Sequence, residues 1–457
     1  MNPNGTLLPV VERLRARSLL VGVVASALGL VGAYFNRQAF DRAYLFSYLF
    51  VLGLALGSMA LLMVHRQLGG AWGFLIRRPL EAGAMTLPLM AVLFIPVLVD
   101  LERIYPWVNH PPGSKSEAEH SGTLSEPSPA KQAKAEGGAV RVTSDESVTL
   151  DPAAKLQRYV NHQDATFKVK WLNPAAFTAR TAIYFTIWIG LGLVLAIGSI
   201  RQDRTGSTDL AYQLNGLSAV GLVVYFLSVS FALIDFGMSL EPAWYSTLYG
   251  VLLIIGQGIS SIALMILIAA LISRRGEVEG LDKPETFNDL GNLLLAFTML
   301  WGYLSFSQFL IIWAGNLAEE IPWYMRRLHG GWENVGRFLI VFHFAVPFLV
   351  LLVRPLKRNI AALSWVAGLV LFAHLIDDYW LIAASTAFDP RDAAGLVITS
   401  PDPGGLLSRV NFLDVVVPVA IGGLWLSAFL WILKGRPLMI AHDPQLLPAL
   451  KQASGGH

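Results

Sequence analysis

The sequence predicts an all-α integral membrane protein of about ten transmembrane helices. Two observations carry that reading. Of the 457 residues, 54% are hydrophobic and 14% are charged, and the mean hydropathy is +0.54. A single water-soluble core cannot absorb that composition, so the surplus apolar surface must face lipid. Apolar runs of crossing length also recur, near residues 18–35, 44–64, 83–101, 177–200, 214–234, 247–272, 288–315, 334–353, 360–384 and 411–433. The first run follows Arg13, Arg15 and Arg17 but is long and lacks a small-x-small cleavage site, so it reads as a retained helix.

Charge in the short connections orients the spans. Arg13, Arg15, Arg17, Arg66, Arg77, Arg78, Arg201, Arg204, Arg274, Arg275, Arg354 and Arg358 fall on the side of both termini. The opposite loops carry only Arg37, Arg42, Arg326, Arg327, Arg391 and Arg409. The positive-inside rule then makes both termini cytoplasmic. The chain divides into residues 1–101 with three spans, an outer loop over 102–175, seven spans over 176–433 and a cytoplasmic tail over 434–457. Within the outer loop, Pro111 to Pro152 is rich in Pro, Ser, Glu, Lys and Ala, the composition of a connector without its own core.

Several function classes drop out. Cysteine is absent, which removes disulfides, thiolate zinc, cysteine-held iron–sulfur clusters and thioether-linked haem. The net charge of +2 shows no basic excess for nucleic acid. No P-loop, nucleotide or metalloprotease motif occurs. Lipid, quinone-like molecules and other membrane subunits remain as partners.

Ionisable residues at bilayer depth are costly and tend to face a cavity or a partner. His343 stands mid-way along the eighth span in Val341-Phe-His-Phe-Ala-Val-Pro347, and His374 lies in the ninth in His374-Leu-Ile-Asp-Asp-Tyr-Trp380. Counting 1.5 Å per residue puts the two histidines at similar depth, with Asp377 and Asp378 nearer the outer face. Spacings of three and four set His374, Asp377 and Asp378 on one helix face. Three readings compete for this ladder: neutral, hydrogen-bonded packing residues, a proton path, and bis-histidine haem ligation between the two spans. Tyr303, Ser305, Ser307 and Gln308 in the seventh span either extend a hydrogen-bonded chain or join helices. His65, Arg77, Arg78, Glu81 and Asp289 are candidates for a cytoplasmic polar inlet, although charges beside His65 and Arg66 ordinarily act as solvated anchors. Gly69-Gly-Ala-Trp-Gly73 there suggests a tight, buried turn. Asp235 and Glu241 end the fifth span outside, where an acid is ordinarily just solvated, and Asp235 is a further candidate for the proton path.

Longer strings resemble a family. Ser47-Tyr-Leu-Phe50, Leu52-Gly-Leu-Ala-Leu-Gly-Ser58, Leu68-Gly-Gly-Ala-Trp-Gly73, Ile76-Arg-Arg78, Glu81 and Thr86-Leu-Pro88 resemble the start of the ActF subunit of alternative complex III, a bacterial quinol:electron-acceptor oxidoreductase. The resemblance continues through the segment from Asp235 to Gly250, Asp289-Leu-Gly291, Phe306-Ser-Gln308, the segment from Ile312 to Glu320, and His343-Phe-Ala-Val-Pro-Phe348. Two departures stand out: Phe236 where tryptophan is expected, and His374 where related chains often carry arginine.

The resemblance implies an NrfD-like fold, a pair of four-helix bundles with two flanking helices, in the bacterial inner membrane. It implies a quinone-associated subunit suspected of conducting protons, not a free-standing enzyme. The partners it implies are an NrfD-like sister subunit, an iron–sulfur subunit, multihaem cytochrome c subunits and, in some assemblies, a terminal oxidase. Neither a covalently bound nor a metal-ligated cofactor is expected in this chain, with menaquinone or ubiquinone at the interface with the sister subunit. Two other classes stay open: a secondary transporter, for which Pro347 and Pro418 interrupt spans without an evident matching pair in the first half, and a purely structural scaffold.

Overall fold

The computed structural model describes residues 8–109, 168–242, 244–274, 280–317, 320–386, 410–438 and 443–453. Ten helices are long and apolar enough to cross a membrane: α1 Leu8–Phe35, α2 Arg37–Leu68, α3 Ala71–Val99, α4 Pro174–Thr205, α5 Thr208–Leu240, α6 Leu248–Ser273, α7 Pro284–Gly315, α8 Trp332–Leu352, α9 Ile360–Ser385 and α10 Leu413–Lys434. No strand forms among the described residues. The protein is therefore an all-α, multi-span membrane protein. Most helices overrun the predicted apolar windows, because caps set the ends. Asn36, Asn173 and Ser207 accept the amide N–H groups of Ala39, Ala176 and Leu210, closing donors that a helix start leaves open.

The spans pack as two closed rings of four. Helices α2, α3, α4 and α5 touch in sequence and α5 returns to α2, while α6, α7, α8 and α9 do the same and α9 returns to α6. The rings meet where α2 packs on α6 and α9 and α5 on α6. Accordingly α2 and α6 are the interior helices, with 89% and 72% of their most apolar stretches buried against 28% for α7 and α8. Helices α1 and α10 flank the assembly, packed on each other and on α2. Their axes come so close that a Cβ on Gly22 would stand 2.7 Å from the Leu424 amide nitrogen, and one on Gly423 would stand 2.8 Å from the Gly22 Cα. Small residues permit such backbone approach between membrane helices.

Two spans are irregular. Helix α3 runs as Ala71–Ala84, Leu87–Leu93 and Ile95–Val99, with breaks at Met85–Thr86 and Phe94. Pro88 and Pro96 lie just inside the pieces that follow, where no N–H is needed. The first half thus does hold an interrupted helix, which the sequence reading missed, although α7, its counterpart by order in the other ring, is continuous. In α8, Leu339–Ala345 widens into a π-helical turn whose Val346 N–H reaches back to the Val341 carbonyl. Pro347 follows, and it has no N–H to offer the His343 carbonyl four residues earlier, so the wider turn forms where the regular ladder is already broken.

The predicted connector Pro111–Pro152 lies outside the described residues. Of the tail, Leu446–Ala453 is helical and lies on the Ala71–Ala84 part of α3.

Candidate functional site

The second ring holds its polar residues near its centre. His343 comes from the π turn of α8, His374 and Asp377 from α9, and Trp301 from α7, all buried. The imidazole centroids of His343 and His374 are 5.5 Å apart, so the fold brings the two histidines together. His374 Nδ1 lies 3.7 Å from Asp377 Oδ2, and His374 Nε2 lies 4.0 Å from Asp378 Oδ2. Trp301 donates from Nε1 to Asp377 Oδ2 at 3.0 Å and its ring stands 4.3 Å from that of His343. Neither ring nitrogen of His343, nor Nδ1 of His374, has a hydrogen-bond partner within the protein.

Helix α6 closes the fourth side. A Cβ on Gly256 would stand 2.4 Å from His374 Cε1, so only glycine lets the imidazole lie against α6. The next residue, Gln257, accepts from Tyr225 at 2.8 Å. Trp301 packs against one histidine and α6 against the other.

Among the described residues, Asp377 and Asp378 differ from the other buried acids in having no arginine partner. Asp235 pairs with Arg180, Glu241 with Arg326 and Arg327, Glu81 with Arg78 and Arg436, Asp414 with Arg42, and Asp443 with Arg77. Among the described residues, the ion-pair partner of Asp377 and Asp378 is His374. Two carboxylates in a dry site without a fixed cation favour the uptake of a mobile one.

Toward the end of α9 the polar chain continues. Tyr249 of α6 lies in the field of Asp377, Asp378, Glu241 and Arg327. Glu241 Oε1 accepts from Ser385 Oγ at 2.7 Å and from Arg327 Nη1 at 3.1 Å. Arg327 is stacked 3.6 Å above Trp323. Burial pulls its guanidinium below the ordinary value, and Glu241 works against that shift. Glu241 is thus a sequestered ion-pair partner and not the solvated acid expected from sequence. Tyr249 and Trp301 were not singled out by sequence reading. Trp301 falls in phase with buried Leu304, Gln308 and Ile312, the one signal that could have found it.

The remaining candidates are not brought to this group. Asp235 is buried at the corresponding end of the first ring, where its two oxygens receive Arg180 Nε and Nη2, each at 2.8 Å, Tyr184 Oη at 2.9 Å and Trp171 Nε1 at 2.9 Å. Four donors fill the carboxylate, which makes it a clasp between α4 and α5 and corrects the expectation of a solvated surface acid. Tyr303 is 66% exposed on the outside of α7, and Ser307 is half-buried. Gln308 is buried with both amide atoms unpartnered. Asp289 sits near the start of α7, at the far end from Glu241.

Of the candidates for a polar inlet, Arg77, Arg78 and Glu81 form a separate network at that far end. Arg77, Arg78 and Glu81 are each 1% exposed or less, which overturns the expectation of solvated anchors. Glu81 Oε2 takes Arg78 Nη1 at 2.6 Å and Arg436 Nη1 at 3.0 Å, Arg78 also pairs with Asp203, and Arg77 Nη1 donates to Asp443 Oδ2 at 2.5 Å. The cause is long-range: Arg436 and Asp443 come from beyond α10 and roof charges that the local sequence leaves open. Burial alone would raise the Asp443 carboxyl, but Arg77, the Gln445 N–H and Arg66 outweigh it and hold it below its ordinary range. His65 packs edge-on to Phe74, 4.8 Å between centroids, with neither ring nitrogen bonded. The glycine turn is tight as predicted, with φ of +68° at Gly69 and +93° at Gly70.

Compared with known protein families the chain matches no family model, and compared with curated proteins it matches none.

Proposed function

We propose that the chain is a proton-relaying membrane subunit of a quinol oxidoreductase assembly, of the kind its strings resemble in the ActF type of alternative complex III. The observation that carries this reading is the arginine-free His343, His374, Asp377 and Asp378 group buried inside the second ring. Imidazole can take a proton on one nitrogen and release another from the second, and the paired carboxylates supply the charge that draws the proton in. Tyr249, Glu241 and Ser385 extend the relay toward the end of α9. The Arg77, Arg78, Glu81 and Asp443 network is a structural lock at the opposite end.

On this reading the chain carries no redox centre. Electrons pass through an iron–sulfur subunit and multihaem cytochrome c subunits, with menaquinone or ubiquinone at the contact with an NrfD-like sister subunit. The arginine asymmetry of the loops supports cytoplasmic termini in a bacterial inner membrane.

The experiment is purification of the tagged native protein in mild detergent, with mass spectrometry of its companions and quinol:acceptor turnover in proteoliposomes. Multihaem and iron–sulfur companions, with proton uptake lost in His374→Ala while quinol oxidation persists, are the expected result. A solitary protein stabilised by a transported solute would overturn it in favour of a transporter.

A further inference from the structure

We infer that His343, His374 and Asp377 form a binding site for a divalent transition-metal ion such as Zn²⁺, held inside the second ring. One ligand atom from each residue lies within 4.8 Å of the others, and all three residues are buried. The arrangement goes beyond a cluster of acids. Both ring nitrogens of His343 and Nδ1 of His374 are buried without a hydrogen-bond partner, so three potential donors are already stripped of competing bonds. Two imidazoles and one carboxylate are a donor set suited to zinc and its neighbours, and a site with three protein ligands leaves a fourth position open.

The surroundings favour the ion. Trp301 Nε1 fixes Asp377 Oδ2 at 3.0 Å, the kind of outer bond that orients a ligating carboxylate. Asp378, 4.0 Å from His374 Nε2, adds a second carboxyl group beside the site, and no arginine or lysine among the described residues pairs with either acid. Metal bonds of about 2.0–2.2 Å require the three donors to draw closer to one another than they now stand, and the π turn of α8 leaves the His343 segment of backbone outside the regular helical ladder. This goes against the sequence expectation of a chain without metal ligands. The ion would occupy the place of the mobile proton and is not a redox cofactor.

The test uses the purified protein in whatever assembly it is isolated, stripped with chelator and titrated with Co²⁺ and Zn²⁺. The expected result is one saturable equivalent of Co²⁺ with the visible absorption of a low-coordinate nitrogen and oxygen site, displaced by Zn²⁺. Apparent affinity should fall at least about 100-fold in His343→Ala and in the isosteric Asp377→Asn, and about tenfold in Trp301→Phe, where only the outer support is lost. The wild-type titration decides the matter even if a variant fails to fold: no saturable equivalent overturns the site. Equal binding by folded Asp377→Asn overturns it too, since the ion would then sit elsewhere. Quinol turnover is not read, so failure here leaves the proposed relay to its own test.

Discussion

His374 and His343 lie 5.5 Å apart between ring centroids, yet only His374 has carboxylates within 4.0 Å, Asp377 at 3.7 Å and Asp378 at 4.0 Å. Both aspartates therefore address His374, and Asp377 also lies within 4.8 Å of His343. Replacing His374 should break the chain in its middle, whereas replacing His343 removes its inner end. In proteoliposomes His374→Ala should lower quinol-coupled proton uptake at least about tenfold, with a smaller loss for His343→Gln. Equal and negligible losses in both would make the group inert packing.

The approach of α6 to His374 gives a second prediction. Gly256→Ala places a methyl group 2.4 Å from His374 Cε1, so the imidazole must shift and its contacts with Asp377 and Asp378 are disturbed. The variant should still assemble, because the inserted methyl group is small and apolar. It should nevertheless share the proton-coupling defect of His374→Ala. Normal coupling in Gly256→Ala would show that the position of this ring does not matter.

At the other ring, Arg180→Ala leaves the Asp235 carboxylate buried without its counter-charge. Removing one partner of a buried pair costs about 3–5 kcal/mol. Thermal unfolding in detergent should show that loss. Arg180→Lys, which keeps the charge and loses the two-pronged contact, should fall between the two.

The tail lock responds to pH with a definite sign. The Asp443 carboxyl sits below its ordinary value of 3.8, held down chiefly by Arg77 against the effect of burial. A depressed acid contributes stability that is complete above the ordinary value and is lost as pH falls through the folded-state value. Protection of Leu446–Ala453 from proteolysis or hydrogen exchange should thus be flat from neutral pH down to about 4 and decline only below that. Asp443→Asn should expose the segment already at neutral pH.

The ten spans were legible in the sequence because lipid imposes apolar length on each crossing independently of its neighbours. The His374, Asp377 and Asp378 face was legible for a similar reason, since three- and four-residue spacing alone sets it. What escaped depends on contacts between distant segments. Arg77, Arg78 and Glu81 look like loop anchors until Arg436 and Asp443 cover them. Asp235 looks solvated until Arg180, Tyr184 and Trp171 converge on it. Tyr303 was misread through helical phase: buried Trp301, Leu304, Gln308 and Ile312 mark the inward stripe of α7, and Tyr303 stands off it.

The close pairing of α1 with α10 has a consequence for how the chain is made. Of the ten crossings, α1 leaves the ribosome first and α10 last, yet each is the other's main neighbour, joined where Gly22 meets Gly423. During translation α1 must wait in the bilayer while the two rings assemble beside it, its glycine face covered only by lipid. Synthesis of α10 is therefore the earliest moment at which the outer wall can close, and nascent chains stalled before α10 should be recognisable to quality-control proteases by that unmatched first helix.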